Sequence, residues 1–254
     1  MSTKNVFSSF HCGDQLFMLM FLNIAAKRTT DEFVFSVRPE YVDQVRGMAR
    51  KLPNLIITDK HVDGSFDGWI GRDNWYQTRR NPSKFLDFLI EFHGYIAKLL
   101  GLSWATPSHK EMLFPAESMD PNHPLSGQSF DMLFVNSTPL SGQCHGFSQG
   151  LVDELVRRFA GKFKLVATHP CGDDRIPVTT QLGLKLNQIG ELASRCKFVV
   201  GVANAPFLAT FNELAFPHVK RWVNYSHDLV NFDDRVVLVN GVDQLERELN
   251  NLND

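Results

Sequence analysis

A chain of 254 residues, 43% hydrophobic and 21% charged with a formal net charge of -2, has the composition of an ordinary folded protein and lacks the low-hydrophobicity, high-charge signature of disorder. That charge gives no bulk electrostatic reason to expect nucleic acid or an anionic membrane as partner, although a local basic patch stays open. The four cysteines, Cys12, Cys144, Cys171 and Cys196, are widely spaced with no CxxC pair, so neither a zinc site nor a redox motif is signalled and reduced thiols are expected.

The opening residues show no long apolar region ahead of a small-residue cleavage site, so a cytoplasmic location is expected. The most apolar stretch, 16–26, is interrupted by Asn23 and is shorter than the roughly 20 residues a membrane span needs. Peripheral membrane contact is left open.

In chain order the first half reads strand 6–10, helix 14–27, strand 33–37, helix 40–51 and strand 55–58. This βαβαβ alternation favours a parallel sheet. Residues 62–80 are rich in Gly, Asp, Trp and Arg, and a long amphipathic helix is expected over 83–100. Residues 103–128 carry Pro107, Pro115, Pro121 and Pro124 without a sustained period, which marks a linker.

The second half restarts the same grammar: strand 131–136, helix 148–159, strand 163–168, helix 188–195 and strand 197–202. A helix from about residue 207, strands 219–225 and 236–239, and a last helix 242–249 complete it. The fold class is therefore α/β, with two Rossmann-like domains facing across a cleft: 1–127 with the linker, and 128–254.

Chemistry is expected where strands run into helices. Residues 8–15 (SSFHCGDQ) place Gly13 and Asp14 at a strand-to-helix turn, where free N–H groups at the helix start suit anions. Only one glycine is present, so this is not the dinucleotide fingerprint. On local sequence Asp14 fits better as a helix N-cap or first-turn acid favoured by the dipole. His11 and Cys12 are adjacent and point apart on an extended strand, which argues against a cysteine nucleophile.

In the second half a strand leads into Ala203, Asn204, Ala205 and Pro206, small side chains that let a ligand approach the backbone; an ordinary tight connection explains them too. Residues 136–143 offer the hydroxyls and amides of Ser137, Thr138 and Gln143. Thr168 and His169 follow a strand, where they are placed to touch a base or ribose, although a structural or surface histidine is the commoner reading of His169. Trp69, Arg72, Trp75, Tyr76, Arg79 and Arg80 cluster before the long helix, as sugar-stacking and phosphate-binding groups or as a partly buried loop. No HExxH, Walker A or G-x-S-x-G spacing occurs, so metal, P-loop and serine-hydrolase chemistry fall away.

The run from Ser8 and Ser9 through Gly13 and Asp14 into an apolar helix, together with the helix, strand and small-residue loop over 188–206, resembles the ADP-heptose lipopolysaccharide heptosyltransferase family, glycosyltransferase family 9. The resemblance implies a GT-B fold, a nucleotide-sugar donor held by the second domain, a glycan or other hydroxyl acceptor held by the first, and inverting transfer with no cofactor or essential metal. It places the general base on Asp14; the candidate ligand contacts are Gly13, Ser137, Thr138, Gln143, Thr168, His169, Asn204, Ala205 and Pro206. Where the family carries Asp-Ser/Thr-Gly and then a histidine, this chain has Ala203, Asn204, Ala205 and Leu208. The activity expected is a glycosyltransferase of glycan or surface-polysaccharide synthesis. Its rivals are a nucleotide-sugar epimerase of the same fold and a catalytically silent sugar- or nucleotide-binding protein.

Overall fold

The structure, a computed structural model, describes residues 2–71, 85–137, 148–225 and 234–250. The chain divides into two compact units, Met1–Pro115 and Ala116–Asp254.

The first unit opens with β1 (Thr3–Phe7), α1 (Cys12–Arg28) and β2 (Glu32–Ser36). A turn of 3-10 helix (Pro39–Tyr41) then leads into α2 (Val42–Met48), and β3 (Leu55–Thr58), β4 (Phe66–Asp67) and α3 (Phe85–Leu99) follow. Its sheet has the order β3-β2-β1-β4, with every pair parallel. β1 sits three residues earlier than the expected 6–10. Its ladder with β2 runs from Thr3 against Glu32 to Phe7 against Ser36, and beyond Phe7 the chain leaves the sheet to begin α1.

α1 is apolar on nearly every side and correspondingly buried, with Leu16, Met18, Leu19, Met20, Phe21, Leu22 and Ile24 all in the core. The Asn23 that interrupts this stretch is buried too. Its Oδ1 accepts the Arg50 backbone N–H at 2.8 Å, which helps to end α2 short of the expected residue 51. Arg28 fastens the start of the proline-rich segment by donating to the Ala105 carbonyl and to Glu111 Oε1 at 2.7 Å. Glu111 also accepts from the Ser108 N–H, and these bonds hold its carboxyl down to about 2.

The second unit contains β5 (Phe130–Val135), α4 (Gln149–Phe159), β6 (Leu165–Ala167), α5 (Leu186–Ala193) and β7 (Cys196–Gly201). α6 (Ala205–Ala209), β8 (Arg221–Asn224), β9 (Val236–Leu238) and α7 (Val242–Asn250) complete it. The sheet order is β6-β5-β7-β8-β9, again all parallel. Its core joins Phe134, Phe159, Phe198, Val200, Val223, Leu245 and Leu249.

The units divide at Pro115, twelve residues before the expected 127, because 116–128 belongs with the second unit. Arg195 donates to the carbonyls of Leu125 and Gln128 at 2.6 and 3.2 Å while pairing with Glu191 at 2.6 Å, so the last stretch of the proline-rich segment is tied to the end of α5.

These two strand orders fix where a ligand can sit. In an open parallel sheet, successive crossovers that leave a strand in opposite directions open a crevice outside the strands' carboxyl ends. That reversal lies between β1 and β4 in the first unit and between β5 and β7 in the second.

Candidate functional site

At the end of β1 the chain passes through residues 8–11 and enters α1 with His11 as the N-cap, whose side chain makes no capping bond. Gly13 and Asp14 lie in the first helical turn, so Gly13 is helical there. The Asp14 carboxylate is half-buried beside the backbone N–H groups that open α1. Burial raises the pKa of Asp14 above its ordinary value, while nearby His11 and these donors pull it back only in part. Cys12, beside it, is pushed up to about 12 by burial and by the neighbouring carboxylate, so its thiol stays protonated and is a poor nucleophile.

Three buried polar atoms surround this corner with no hydrogen-bond partner among the described residues: Ser8 Oγ, His11 Nδ1 and Gln15 Oε1. Gln15 is oriented by its other amide atom, which donates to the Phe10 carbonyl at 2.8 Å. Buried polar groups are nearly always satisfied by protein, water or ligand, and these three face that choice at the crevice.

β4 brings in the other wall. Val6 pairs with Phe66 and Phe7 with Asp67, and the Gly68 N–H continues the ladder to the Phe7 carbonyl at 2.9 Å. Trp69 then lies flat on Phe10, ring centroids 4.1 Å apart and planes 9° from parallel. Of the predicted aromatic and arginine cluster, Trp69 is brought against Phe10 at the start of α1; Arg72, Trp75, Tyr76, Arg79 and Arg80 lie outside the described residues.

The second corner is built around a residue that the sequence reading did not single out. Asn136, directly after β5, is buried and bonds across to the segment after β6. Its Oδ1 accepts from Thr168 Oγ1 at 3.1 Å and from the His169 N–H at 2.8 Å, and its Nδ2 donates to the His169 carbonyl at 2.8 Å. The Asn136 N–H donates in turn to Thr168 Oγ1 at 3.0 Å. Thr168 is fully buried and the His169 side chain is exposed.

After β7, Asn204 caps α6 by accepting the Phe207 N–H at 3.0 Å and donates to Ser137 O and Oγ at 3.0 and 2.9 Å. Ala205 and Pro206 form the first turn of that helix. The structure thus gathers Ser137, Thr168, His169, Asn204, Ala205 and Pro206 at one sheet edge, while Thr138 and Gln143 lie outside the described residues. β5 and β7 can approach closely there because Gly201 has no side chain: a Cβ would stand 2.1 Å from the Val135 carbonyl oxygen.

The signal for Asn136 was present as an amide at a strand end, but its partners are 32 and 33 residues away. Among the described residues no three His, Cys, Asp or Glu side chains are grouped as ligands for a metal ion. No described helix is long and apolar enough to cross a membrane.

No family model matches the sequence. No curated protein matches it either. Solved structures do. ADP-heptose LPS heptosyltransferase II of E. coli superposes with a TM-score of 0.55 at 10% identity, over 98% of each chain. E. coli heptosyltransferase WaaC with ADP-2-deoxy-2-fluoro heptose gives 0.56 at 15% identity, over 99% of this chain and 98% of its own. A family 9 glycosyl transferase from Veillonella parvula gives 0.54 at 12% identity, over 98% of this chain and 89% of its own.

The fold is that of the GT-B glycosyltransferases. At these identities the likeness is one of architecture: two parallel sheets, each with a crevice at the carboxyl ends of its strands.

Proposed function

We propose that the protein is a glycosyltransferase that moves a sugar from a nucleotide-diphosphate donor to an acceptor hydroxyl, in glycan or surface-polysaccharide synthesis. The observation that carries this reading is the Asp14 carboxylate, half-buried in the first turn of α1 at the β1 and β4 crevice with its pKa raised. An acceptor hydroxyl attacking an anomeric carbon must lose its proton as the new C–O bond forms. A positioned carboxylate of raised basicity is suited to take that proton. The old glycosyl–phosphate bond breaks as the new one forms, its electron pair leaves on the nucleoside diphosphate, and single displacement inverts the anomeric centre.

Donor binding is assigned to the second unit and acceptor binding to the first. The Asn136 network supports the donor assignment, because it fixes His169 and the backbone after β6 beside the Asn204 loop at the β5 and β7 crevice. Gly13, Ser137, Thr138, Gln143, Thr168, His169, Asn204, Ala205 and Pro206 are the proposed ligand-contacting residues. The donor class is supported by the E. coli heptosyltransferase WaaC structures, one with ADP and one with an ADP-heptose analogue. No essential metal or other cofactor is proposed; hydroxyl, amide and backbone N–H groups are the proposed partners of the diphosphate.

The test is a thermal-shift panel with ADP, GDP, UDP, CDP and dTDP, since a ligand that binds only the native state adds about 2.7 kcal/mol at one hundred times its dissociation constant. One nucleotide should raise the melting temperature. With its sugar conjugates as donors, Asp14→Asn should keep the shift and lose transfer by about 10²–10⁴-fold. No shift with any nucleotide defeats the donor assignment, and undiminished transfer by Asp14→Asn defeats the base. Binding without turnover would favour the silent-binding alternative.

A further inference from the structure

We infer that Asn204 is a positioning residue whose side-chain amide makes the Ser137 hydroxyl a fixed hydrogen-bond donor at the β5 and β7 crevice, directed at an anionic oxygen of the donor's diphosphate. The ligand named here rests on the proposed donor assignment; the setting of the hydroxyl by Asn204 does not.

The sheet brings the two residues together. Val135 pairs with Gly201 at the last rung between β5 and β7, and just beyond that rung the two segments carry Ser137 and Asn204. The Asn204 amide has only one workable orientation there. The Phe207 N–H, which can only donate, lies 3.0 Å from its Oδ1, and the Ser137 carbonyl, which can only accept, lies 3.0 Å from its Nδ2. The second Nδ2 hydrogen goes to Ser137 Oγ at 2.9 Å. Both amide hydrogens are thus engaged on Ser137, and any contact of Asn204 with a ligand is left to its backbone.

A serine hydroxyl has one hydrogen and two lone pairs. Since Asn204 donates to Oγ, the Ser137 hydrogen cannot point at Asn204, and among the described residues none accepts it. Accepting one hydrogen bond also polarises a hydroxyl and strengthens its own donation. The backbone beneath it is fixed as well, because Asn136 bonds to Thr168 and His169 through both its N–H and its side chain. Ser137 is only half-buried, so its hydroxyl can meet a ligand. A donor held in one direction suits an atom that only accepts, and the ionised oxygens of a diphosphate are such atoms.

The test uses the whole protein, with NMR of ¹⁵N-labelled asparagine side chains and calorimetric titration with ADP, GDP, UDP, CDP and dTDP. Ser137→Ala should shift the amide pair that is missing from Asn204→Ser and should weaken binding of the recognised nucleotide about tenfold, as loss of one hydrogen bond to a charged group does. Asn204→Ser keeps a side-chain oxygen for the Phe207 N–H but has no amide for Ser137, so it should weaken binding by a similar factor. Placed in the Ser137→Ala background, it should weaken binding no further.

Undiminished affinity in either single variant overturns the inference. Losses that multiply in the double variant also overturn it, because Asn204 would then act by holding its loop or by touching the ligand. If Ser137→Ala moves no asparagine side-chain resonance, the contact itself is disproved, and that readout needs no folded Asn204 variant. Binding of none of the five nucleotides to the wild type would defeat the donor assignment and the ligand named here together. The resonance shift in Ser137→Ala separates that failure from a failure of Asn204 to set Ser137.

Discussion

His93 shows what burial does to a titratable side chain with one partner. It lies fully buried on α3, with Nε2 3.1 Å from the Phe17 carbonyl and its ring against Phe21, and burial drives its pKa down to about 4. The unfolded chain holds that proton more tightly, with a reference value of about 6.5. Stability from the neutral ring is therefore complete above pH 6.5 and is lost as pH falls toward 4. Between pH 7 and pH 5 the loss is about 2 kcal/mol by linkage. Urea denaturation of the wild type and His93→Gln should show their stability gap narrowing by that amount over this range. A constant gap would mean that His93 holds its proton as tightly in the fold as in the unfolded chain. The same competition of burial against hydrogen bonding sets Asp14, but there the carboxylate stands at a crevice. Asp14 was legible in the sequence because an acid in the first turn after a strand is a local pattern. Trp69 was legible only as one of an aromatic and arginine cluster and Asn136 not at all, because each is placed by partners the sheet brings in: Phe10 for Trp69, Thr168 and His169 for Asn136.

Elements were easier to read than their ends. The alternation of apolar strands and helices announced both parallel sheets, and α1 and α4 fall within two residues of the expected ends because hydrophobic runs mark them. β4 escaped notice because two residues carry no period; only its pairing with β1 makes it a strand. Yet that short strand creates the reversal in strand order and delivers Trp69. Gly201 illustrates a second kind of hidden constraint, since nothing local distinguishes it from a loop glycine. A methyl there would meet Val135 O at 2.1 Å and Val135 Cβ at 2.7 Å, at the last rung between β5 and β7. Gly201→Ala must spread these strands beneath Ser137 and Asn204, at a cost of about 1–3 kcal/mol, the usual range for overpacking. Gly161→Ala, with open space around its Cβ position, is the control and should leave the urea midpoint unchanged or slightly raised. Equal effects of the two substitutions would show that β5 and β7 are not so closely apposed.

On the scale of the molecule, the two units repeat one solution with different strand orders, and each carries the core that supports its own crevice. The first places the Asp14 carboxylate near unsatisfied polar atoms, whereas the second places a hydrogen-bonded amide network beside small residues. This difference in chemistry underlies the assignment of acceptor to one and donor to the other. Hydrogen exchange on the intact chain can test it, because binding slows exchange where opening competes with the bound state. A nucleoside diphosphate without acceptor should protect amides at 136–137, 168–169 and 201–206 and leave those at 8–14 and 67–71 at their free rates. Protection confined to the β1 and β4 corner would reverse the roles of the two units, and the Asp14 carboxylate would then face the departing diphosphate instead of the attacking hydroxyl. That placement is electrostatically unfavourable for an ionised acid beside a phosphate, so the exchange pattern decides between a base and a repelled neighbour at Asp14.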